Sequence, residues 1–523
     1  MNQDISKKYK IILMLLLILL NIAIRIPSIP HEKGDDSFFI HSLANSVSYY
    51  GEAKWWINWM SIFGFYPYSY SSAAPFILSG LSQLTKFQME FTILMFCIIM
   101  GLFSIFSSYL LAIVLYKDFI PRFIFSLIFS LSAGVVGLTT WEITTRGPFL
   151  VLFPFFLYLV FKLINLQIKF FVLMIMTIIL LFALHHYTYL ALFFSIIILV
   201  FAIIYKFKQR INFNKVITHN FNINNMYLLI LILLFITPFF GIGKLITSGS
   251  RYTWLLDMLI ITVRNLGVVF PLAIGGFIYL SIKNNKKMEE WAILICIIPT
   301  IIFSYNKTYG YMTTYLFMTY LSTVGLYNIM ISYNRNKKKI VYWIIVAFII
   351  LNVSFSSFFS HWRSGMMGGS SEWYMQDETY KTGEWVKEYI DEKMNALSTG
   401  IEISRMYASY GGKPALFLED DVSNYINKFM ALDLNNTYSN SPFSLSYYFD
   451  NPIILKSGTS SDGKVIWISK FSIYDVRLRD FLQNYNISYF FQDMHSSNIL
   501  ANSLSQSNNN NIYDSGRMRI WVI

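Results

Sequence analysis

Apolar runs of roughly 20 residues recur along this chain, the length an α-helix needs to cross the hydrocarbon core of a bilayer. They fall near 10–28, 89–116, 119–139, 146–164, 168–184, 187–205, 226–241, 258–281, 290–304, 310–332 and 340–357. In lipid such a run must satisfy its own backbone, which restricts it to a helix. With 55% hydrophobic residues, 13% charged residues and a mean hydropathy of +0.48, the chain reads as a polytopic α-helical membrane protein of about 11 spans. Exit of the first run through Arg25-Ile26-Pro27 lacks a small-x-small cleavage pattern, so this segment is expected to stay as a span.

The basic residues give the orientation. With a cytoplasmic N-terminus, the inside segments hold Lys7, Lys8 and Lys10, then Lys117 and Arg122, Lys162 and Lys169, the cluster 206–215, Lys283, Lys286 and Lys287, and the run 335–339. The short outside segments hold only Arg146, Lys244, Arg251 and Lys307. That asymmetry is the positive-inside pattern of an integral plasma-membrane protein, and it accounts for the net charge of +12 without nucleic acid. No basic face interleaved with aromatics, Walker sequence or zinc-ligand spacing appears. The two cysteines, Cys97 and Cys296, lie inside apolar runs and are expected to be free thiols.

Two domains follow. Residues 1–357 form a transmembrane module that includes an aromatic outer loop, 31–88, in which Ala74–Leu84 is expected to be an interfacial amphipathic helix. Residues 358–523 form a C-terminal extracytoplasmic α/β domain. Its expected helix is Thr382–Met394, and its expected strands are Ala415–Leu418, Val465–Ser469, Ile487–Phe491 and a hairpin in 511–523 turning at Asp514-Ser515-Gly516. The Ser/Asn run Asn502–Asn511 reads as a loop.

Asp35 and Asp36 stand just outside the first span, in His31-Glu32-Lys33-Gly34-Asp35-Asp36. A carboxylate beside lipid is costly unless it is hydrated, paired or metal-bound. Two adjacent ones suit general acid/base work, although Gly-Asp-Asp is also ordinary turn chemistry. Arg25, at the end of the first span, either pairs with them or snorkels. A second polar segment, Thr140-Trp141-Glu142-Ile143-Thr144-Thr145-Arg146-Gly147-Pro148, lies on the same side. Thr144 or Thr145 is placed to cap the next helix, with Pro148 in its first turn. Arg146 is suited to a phosphate, as are Arg251 and Arg264 from later segments. Adjacent His185 and His186, also on the outer side, read as interfacial polar residues or substrate contacts. Neighbours in a helix point apart, which disfavours both holding one metal.

The segment Gly34-Asp35-Asp36-Ser37-Phe38-Phe39-Ile40-His41-Ser42-Leu43-Ala44, then Tyr50-Gly51-Glu52, Tyr66-Pro67 and Ala74-Pro75, resembles the first outer loop of the GT-C superfamily of membrane glycosyltransferases. These enzymes take sugars from polyprenyl-phosphate carriers. They include protein O-mannosyltransferase-like enzymes and oligosaccharyltransferase catalytic subunits. The resemblance implies a membrane glycosyltransferase with Asp35 or Asp36 as general base. Its expected partners are a polyprenyl-phosphate-linked sugar, membrane lipid and an acceptor of unassigned class. It also implies a divalent metal, Mg or Mn, with Glu142 at the place where oligosaccharyltransferases offer an acidic residue. No acidic pair stands there, and Glu372-Trp373-Tyr374-Met375 does not match the Trp-Trp-Asp-Tyr-Gly motif that oligosaccharyltransferases use for the acceptor sequon. The rival readings are a transporter or lipid-linked-sugar flippase, and a non-catalytic envelope assembly protein.

Overall fold

The structure, a computed structural model, describes residues 6–51, 72–164, 168–210, 223–236, 259–304 and 310–335 apart from 28, 186, 261 and 264, with scattered positions in 340–353. In the tail it describes 376–390, 395–398, 410–411, 415–416, 449–451, 454–455, 472–484, 487–494, 499–507 and 510–523. The tryptophan-rich part of the outer loop (52–71) and the expected strand Val465–Ser469 lie outside these residues.

The described N-terminal part is helical: α1 (Lys7–Ile24), α2 (Asp35–Tyr50), α3 (Ala73–Thr85), α4 (Met89–Leu115), α5 (Phe119–Leu131), α6 (Ala133–Gly137), α7 (Arg146–Ile164), α8 (Lys169–Leu184), α9 (Thr188–Arg210), α10 (Ile223–Ile236), α11 (Phe270–Ile282), α12 (Met288–Ser304) and α13 (Gly310–Arg335). Among the described residues, three helices are long and apolar enough to cross a membrane: 89–115, 146–164 and 188–206. Several expected spans are shorter as helices. The run 119–139 divides at Ser132, whose backbone turns extended and whose Oγ accepts the Val135 N–H to start α6. The run 258–281 has a short 3₁₀ turn at Gly267–Val269, with Gly267 at φ +67°, before α11 begins. His185–Tyr187 separates α8 from α9, as expected.

Lipid is as apolar as leucine, so close packing and buried polar bonds must hold such helices together. The molecule uses both. Gly276 of α11 and Gly325 of α13 face each other; a Cβ on the first would lie 1.9 Å from the Leu321 carbonyl oxygen and on the second 2.3 Å from that of Leu272. Phe149, Phe153, Phe156 and Phe161 of α7 are fully buried in the largest apolar cluster. Asn21 of α1 donates to Ser130 Oγ of α5 at 3.1 Å, and Tyr116 donates to the Tyr320 carbonyl at 3.3 Å.

The outer loop is more helical than a turn reading of Gly-Asp-Asp allows, because Asp35 and Asp36 open α2. Anionic side chains in a first turn favour that start, since four amide N–H groups are exposed there. α3 buries Ala74, Leu78 and Ser79 and leaves Leu84 exposed, the expected amphipathic pattern. The tail contains α14 (Asp377–Tyr389), α15 (Val476–Asn484), α16 (Ile499–Gln506) and a sheet of order β2-β1-β5-β7-β6. Its strands are β1 (Asn395–Ser398), β2 (Ala415–Leu416), β5 (Ile487–Asp493), β6 (Asn511–Asp514) and β7 (Met518–Val522), while β3 (Phe449–Asn451) and β4 (Ile454–Leu455) pair separately. β1 runs parallel to β2 and β5, and β7 is antiparallel to β5 and β6. The hairpin turn is where expected: Gly516 takes φ +82° and donates to Asp514 Oδ1 at 2.7 Å.

Two expectations for the tail are corrected. The helix runs Asp377–Tyr389 rather than 382–394, since the backbone turns extended at Ile390 and Asn395 enters β1. The Ser/Asn run is not all loop, because α16 carries into it on the buried stripe Leu500, Ala501 and Leu504, which outweighs the poor helix propensity of Ser and Asn. One apolar cluster joins the tail to the outer loop: Leu478, Leu482, Phe490, Leu500 and Trp521 share it with Ile40, Leu43, Leu78 and Trp141.

Candidate active site

The segment 139–146 lies along the start of α2 and meets it, or the residues just before it, through Trp141, Glu142, Ile143 and Arg146. The Lys33 amide donates to the Trp141 carbonyl at 3.2 Å, and the Ile143 amide donates to Ser37 Oγ at 3.0 Å. Gly34, at φ +93°, leaves room for the Glu142 side chain. Arg146 then forms an ion pair with Asp36 through its Nη2, both groups partly open to solvent. Two residues far apart in sequence, both singled out as site residues, are thereby brought together.

Glu142 is buried, and the Lys33 Nζ lies 3.8 Å from its Oε2, itself only 4% exposed. Lys33 was missed by the sequence reading, although a lysine next to the acidic pair at a span exit was a visible signal. Trp141 holds φ +44°, an uncommon conformation for a large side chain, while its indole donates to the Glu90 carbonyl at 3.3 Å. At the other end of the segment Thr144 Oγ1 accepts the Gly147 N–H at 3.1 Å, so the expected cap of α7 is supplied by Thr144.

Behind α2 lies a layer of paired titratable groups that the sequence did not single out. The Glu32 carboxylate, fully buried, meets His41 Nδ1 at 2.7 Å, and burial pushes its pKa up while the His41 ring pulls it back. The Glu32 amide donates to Glu90 Oε1 at 3.0 Å, and the same oxygen lies 3.1 Å from His31 Nδ1. His31 Nε2 reaches Asp377 of α14 at 3.3 Å, and its ring stacks on Tyr380 at 4.1 Å. Burial lowers the His31 pKa, but the hydrogen bonds and charges of Glu90 and Asp377 outweigh it and the net direction is up. Tyr410 packs edge-on against Phe38, and burial pushes its phenol well above the ordinary range.

Arg25 does not snorkel, and its described hydrogen-bond partners are all uncharged. It is fully buried, and its guanidinium donates to Asn21 Oδ1 at 2.8 Å, to Thr139 Oγ1 at 2.8 and 3.1 Å and to the Ser130 carbonyl at 3.3 Å. Its reach is inward because Gly101 of α4 presents no side chain; a Cβ there would fall 2.3 Å from the Arg25 Nε. His185 is buried too. Its Nδ1 accepts the Tyr187 N–H at 3.0 Å and its ring stacks on Tyr187 at 4.5 Å, with extended backbone beyond α8 rather than helix. His186, Arg251 and Arg264 lie outside the described residues, as does the Asp35 side chain.

The carboxylates of Asp36 and Glu142 each already face a cation, and among the described residues no group of three His, Cys, Asp or Glu side chains is arranged to hold a metal ion.

No family profile and no curated protein matches the chain. Solved structures do. An oligosaccharyltransferase from Archaeoglobus fulgidus, tethered with an acceptor peptide, aligns with a TM-score of 0.58 at 13% identity over 93% of this chain and 69% of that one. The same enzyme has been solved with Zn and sulfate. ArnT from Cupriavidus metallidurans, bound to undecaprenyl phosphate, aligns with a TM-score of 0.55 at 10% identity over 98% of this chain and 97% of that one. The mycobacterial arabinofuranosyltransferase AftD aligns with a TM-score of 0.50 at 12% identity, covering the whole of this chain and 42% of its own. Over nearly its full length, the chain thus shares its fold with these glycosyltransferases.

Proposed function

We propose that the protein is a membrane glycosyltransferase that moves a sugar from a polyprenyl-phosphate-linked donor to an acceptor on the outer face of the membrane. The carrying observation is the Asp36–Arg146 ion pair at the start of α2, within the fold described above. It sets an acid beside a guanidinium at the mouth of the first span, the pairing that such a transfer needs. Among the similar proteins, the archaeal oligosaccharyltransferase has been solved with a dolichol phosphate and ArnT with undecaprenyl phosphate, which supports this donor class.

The chemistry follows from the charges. An acceptor hydroxyl or amide is a weak nucleophile, so Asp35 or Asp36 takes its proton as it attacks the anomeric carbon. The bond from that carbon to the phosphate oxygen breaks through an oxocarbenium-like state, and the oxygen leaves with the lipid phosphate. Arg146, with Arg251 from the loop before the eighth span and Arg264 from inside that span, receives the negative charge; planar guanidinium groups match phosphate oxygens well. Residues 358–523 form the outer domain in this reading and help shape the acceptor side, with the N-terminus cytoplasmic.

The test is transfer by the purified protein supplied with polyprenyl-phosphate sugars. Asp35→Asn or Asp36→Asn is expected to lower turnover by about 100-fold or more, the scale of removing a general base. Undiminished transfer in both variants, or flux of the lipid-linked sugar across proteoliposomes with no transfer at all, would overturn the reading.

A further inference from the structure

Ser37 joins the two halves of the candidate site. It is the third residue of α2, next to Asp36, and its backbone is locked in the first turn, where its amide and that of Phe38 both donate to the Gly34 carbonyl, at 3.0 and 3.1 Å. Its side chain is fully buried. Successive residues of a helix point about 100° apart, so Asp36 keeps a partly open position while Ser37 turns inward. There Ser37 Oγ accepts the N–H of Ile143, itself buried, at 3.0 Å. The single hydroxyl hydrogen goes the other way, toward Glu32 Oε2 at 3.5 Å, and leaves the lone pairs for the amide. Glu32 is held in turn by His41, one turn further along the same face of α2, at 2.7 Å, and through its own amide by Glu90 of α4 at 3.0 Å.

We propose that Ser37 is a positioning residue for sugar transfer, holding Arg146 in place against Asp36 through the Ile143 amide. The inference rests on the glycosyl-transfer reading for its consequence, though not for its geometry. Only Thr144 and Thr145 separate Ile143 from Arg146, and both are buried. Thr144 Oγ1 also accepts the Gly147 N–H and so fixes the start of α7. Three residues span at most about 10 Å, so a shift of Ile143 carries Arg146 with it. On α2, Ser37 follows Asp36 directly. One hydrogen bond thus ties the backbone that carries the acid to the backbone that carries the guanidinium. Alanine at position 37 would leave the Ile143 N–H buried without this acceptor, and the segment would move to find another. A guanidinium that receives charge only as the carbon–oxygen bond breaks acts in the transition state, so its displacement lowers kcat more than it changes KM. Ser37 touches neither donor nor acceptor and takes no proton.

The experiment uses the full-length protein in detergent and two independent readouts, transfer from polyprenyl-phosphate sugars and amide hydrogen exchange in 139–147. Ser37→Ala is expected to lower kcat about 10-fold with little change in the donor KM, the scale of a small misplacement of a reacting group. Ser37→Thr keeps the hydroxyl and is expected to restore most of that loss. The decisive comparison repeats Ser37→Ala in an Arg146→Lys background, where the loss should shrink below about twofold because the guanidinium being positioned is gone. Loss by the same factor in both backgrounds would overturn the proposal, as would wild-type turnover in Ser37→Ala. Exchange in 139–147 should quicken in Ser37→Ala while that in 151–164 stays as in the wild type; unchanged exchange in 139–147 would overturn the proposal too. Should the alanine variant not fold, Ser37→Cys, whose thiol is a weak acceptor, carries the same cycle. If transfer is absent under every condition, the glycosyltransferase reading fails, while the exchange measurement still decides whether Ser37 holds the segment.

Discussion

Gly34 and Glu142 are packed so closely that a methyl group on the glycine would lie 2.8 Å from the glutamate Cγ and 2.9 Å from its Cδ. The glycine also holds φ +93°, where a side chain is strained whatever the space around it. This one contact therefore reports whether segment 139–146 is seated on α2.

Gly34→Ala is expected to unseat Glu142 and the Arg146–Asp36 pair together. The backbone strain alone is about 1–3 kcal/mol. Transfer should fall by at least about 10-fold, since small misplacements of a reacting group are costly. Gly51→Ala, also at positive φ but with nothing within 4 Å of its Cβ, is the control and should cost stability without costing turnover beyond that loss. Thermal unfolding and transfer rates measured on both variants separate the two effects.

The Glu32–His41 pair gives a second expectation. Both groups are buried, with the carboxylate fully shielded, so His41→Phe strands a charge or forces a proton onto Glu32. Breaking such a pair costs about 3–5 kcal/mol. Combining it with Glu32→Leu should recover much of the loss, because no unpaired charge is then left. Denaturation midpoints of the two single variants and the double variant complete the cycle; a double variant no more stable than His41→Phe would refute the assignment.

His31 links the outer loop to α14 and makes that link pH-dependent. Its folded pKa is raised above the ordinary value of 6.5 by Glu90 and Asp377 against the opposing effect of burial. A group raised on folding contributes stability that is complete below its unfolded pKa and is lost as pH rises through its folded pKa. The link should therefore persist past the ordinary histidine value and loosen as pH rises through the raised one. Asp377 is 62% exposed, so solvent screening keeps its own share below about 1 kcal/mol. Amide hydrogen exchange in 377–389, corrected for intrinsic rates, should quicken with rising pH in the wild type, and His31→Phe should remove that dependence.

Arg25 and Gly101 form a lock between α1 and α4. Gly101→Ala drives a methyl group into the guanidinium, which has no open direction, and overpacking of this kind costs about 1–3 kcal/mol. Because Arg25 holds Thr139, the residue where segment 139–146 begins, the same change should lower transfer as well as stability. Cross-linking or fluorescence between positions in α4 and 139–146 would read the displacement directly; no shift and unchanged transfer would remove Arg25 as the anchor of that segment.

Residues legible from sequence were those whose chemistry is local. Asp35 and Asp36 were noticed because carboxylates at a span exit are expensive, and Arg146 because it is among the few basic residues in the segments expected on the outer side. The hairpin at Asp514-Ser515-Gly516 was readable because only a few residue types accept its backbone angles. The helix over Ile499–Gln506 was not, since its signal is burial of Leu500 and Leu504 against distant parts of the chain, which no local preference encodes.

The sequence by itself determined that this chain belongs in a membrane, because runs of span length have no other place to hide their apolar surface, and it singled out Asp35, Asp36 and Arg146 among the charges that flank those runs. Only the tertiary structure decided how those charges are paired. Asp36 with Arg146, Glu142 with Lys33 and Glu32 with His41 are separated by 110, 109 and 9 positions in the chain, and two of the three form only because segment 139–146 is laid along α2. Ion pairing depends on distance in space and on the water excluded around it, and neither is written in the order of residues.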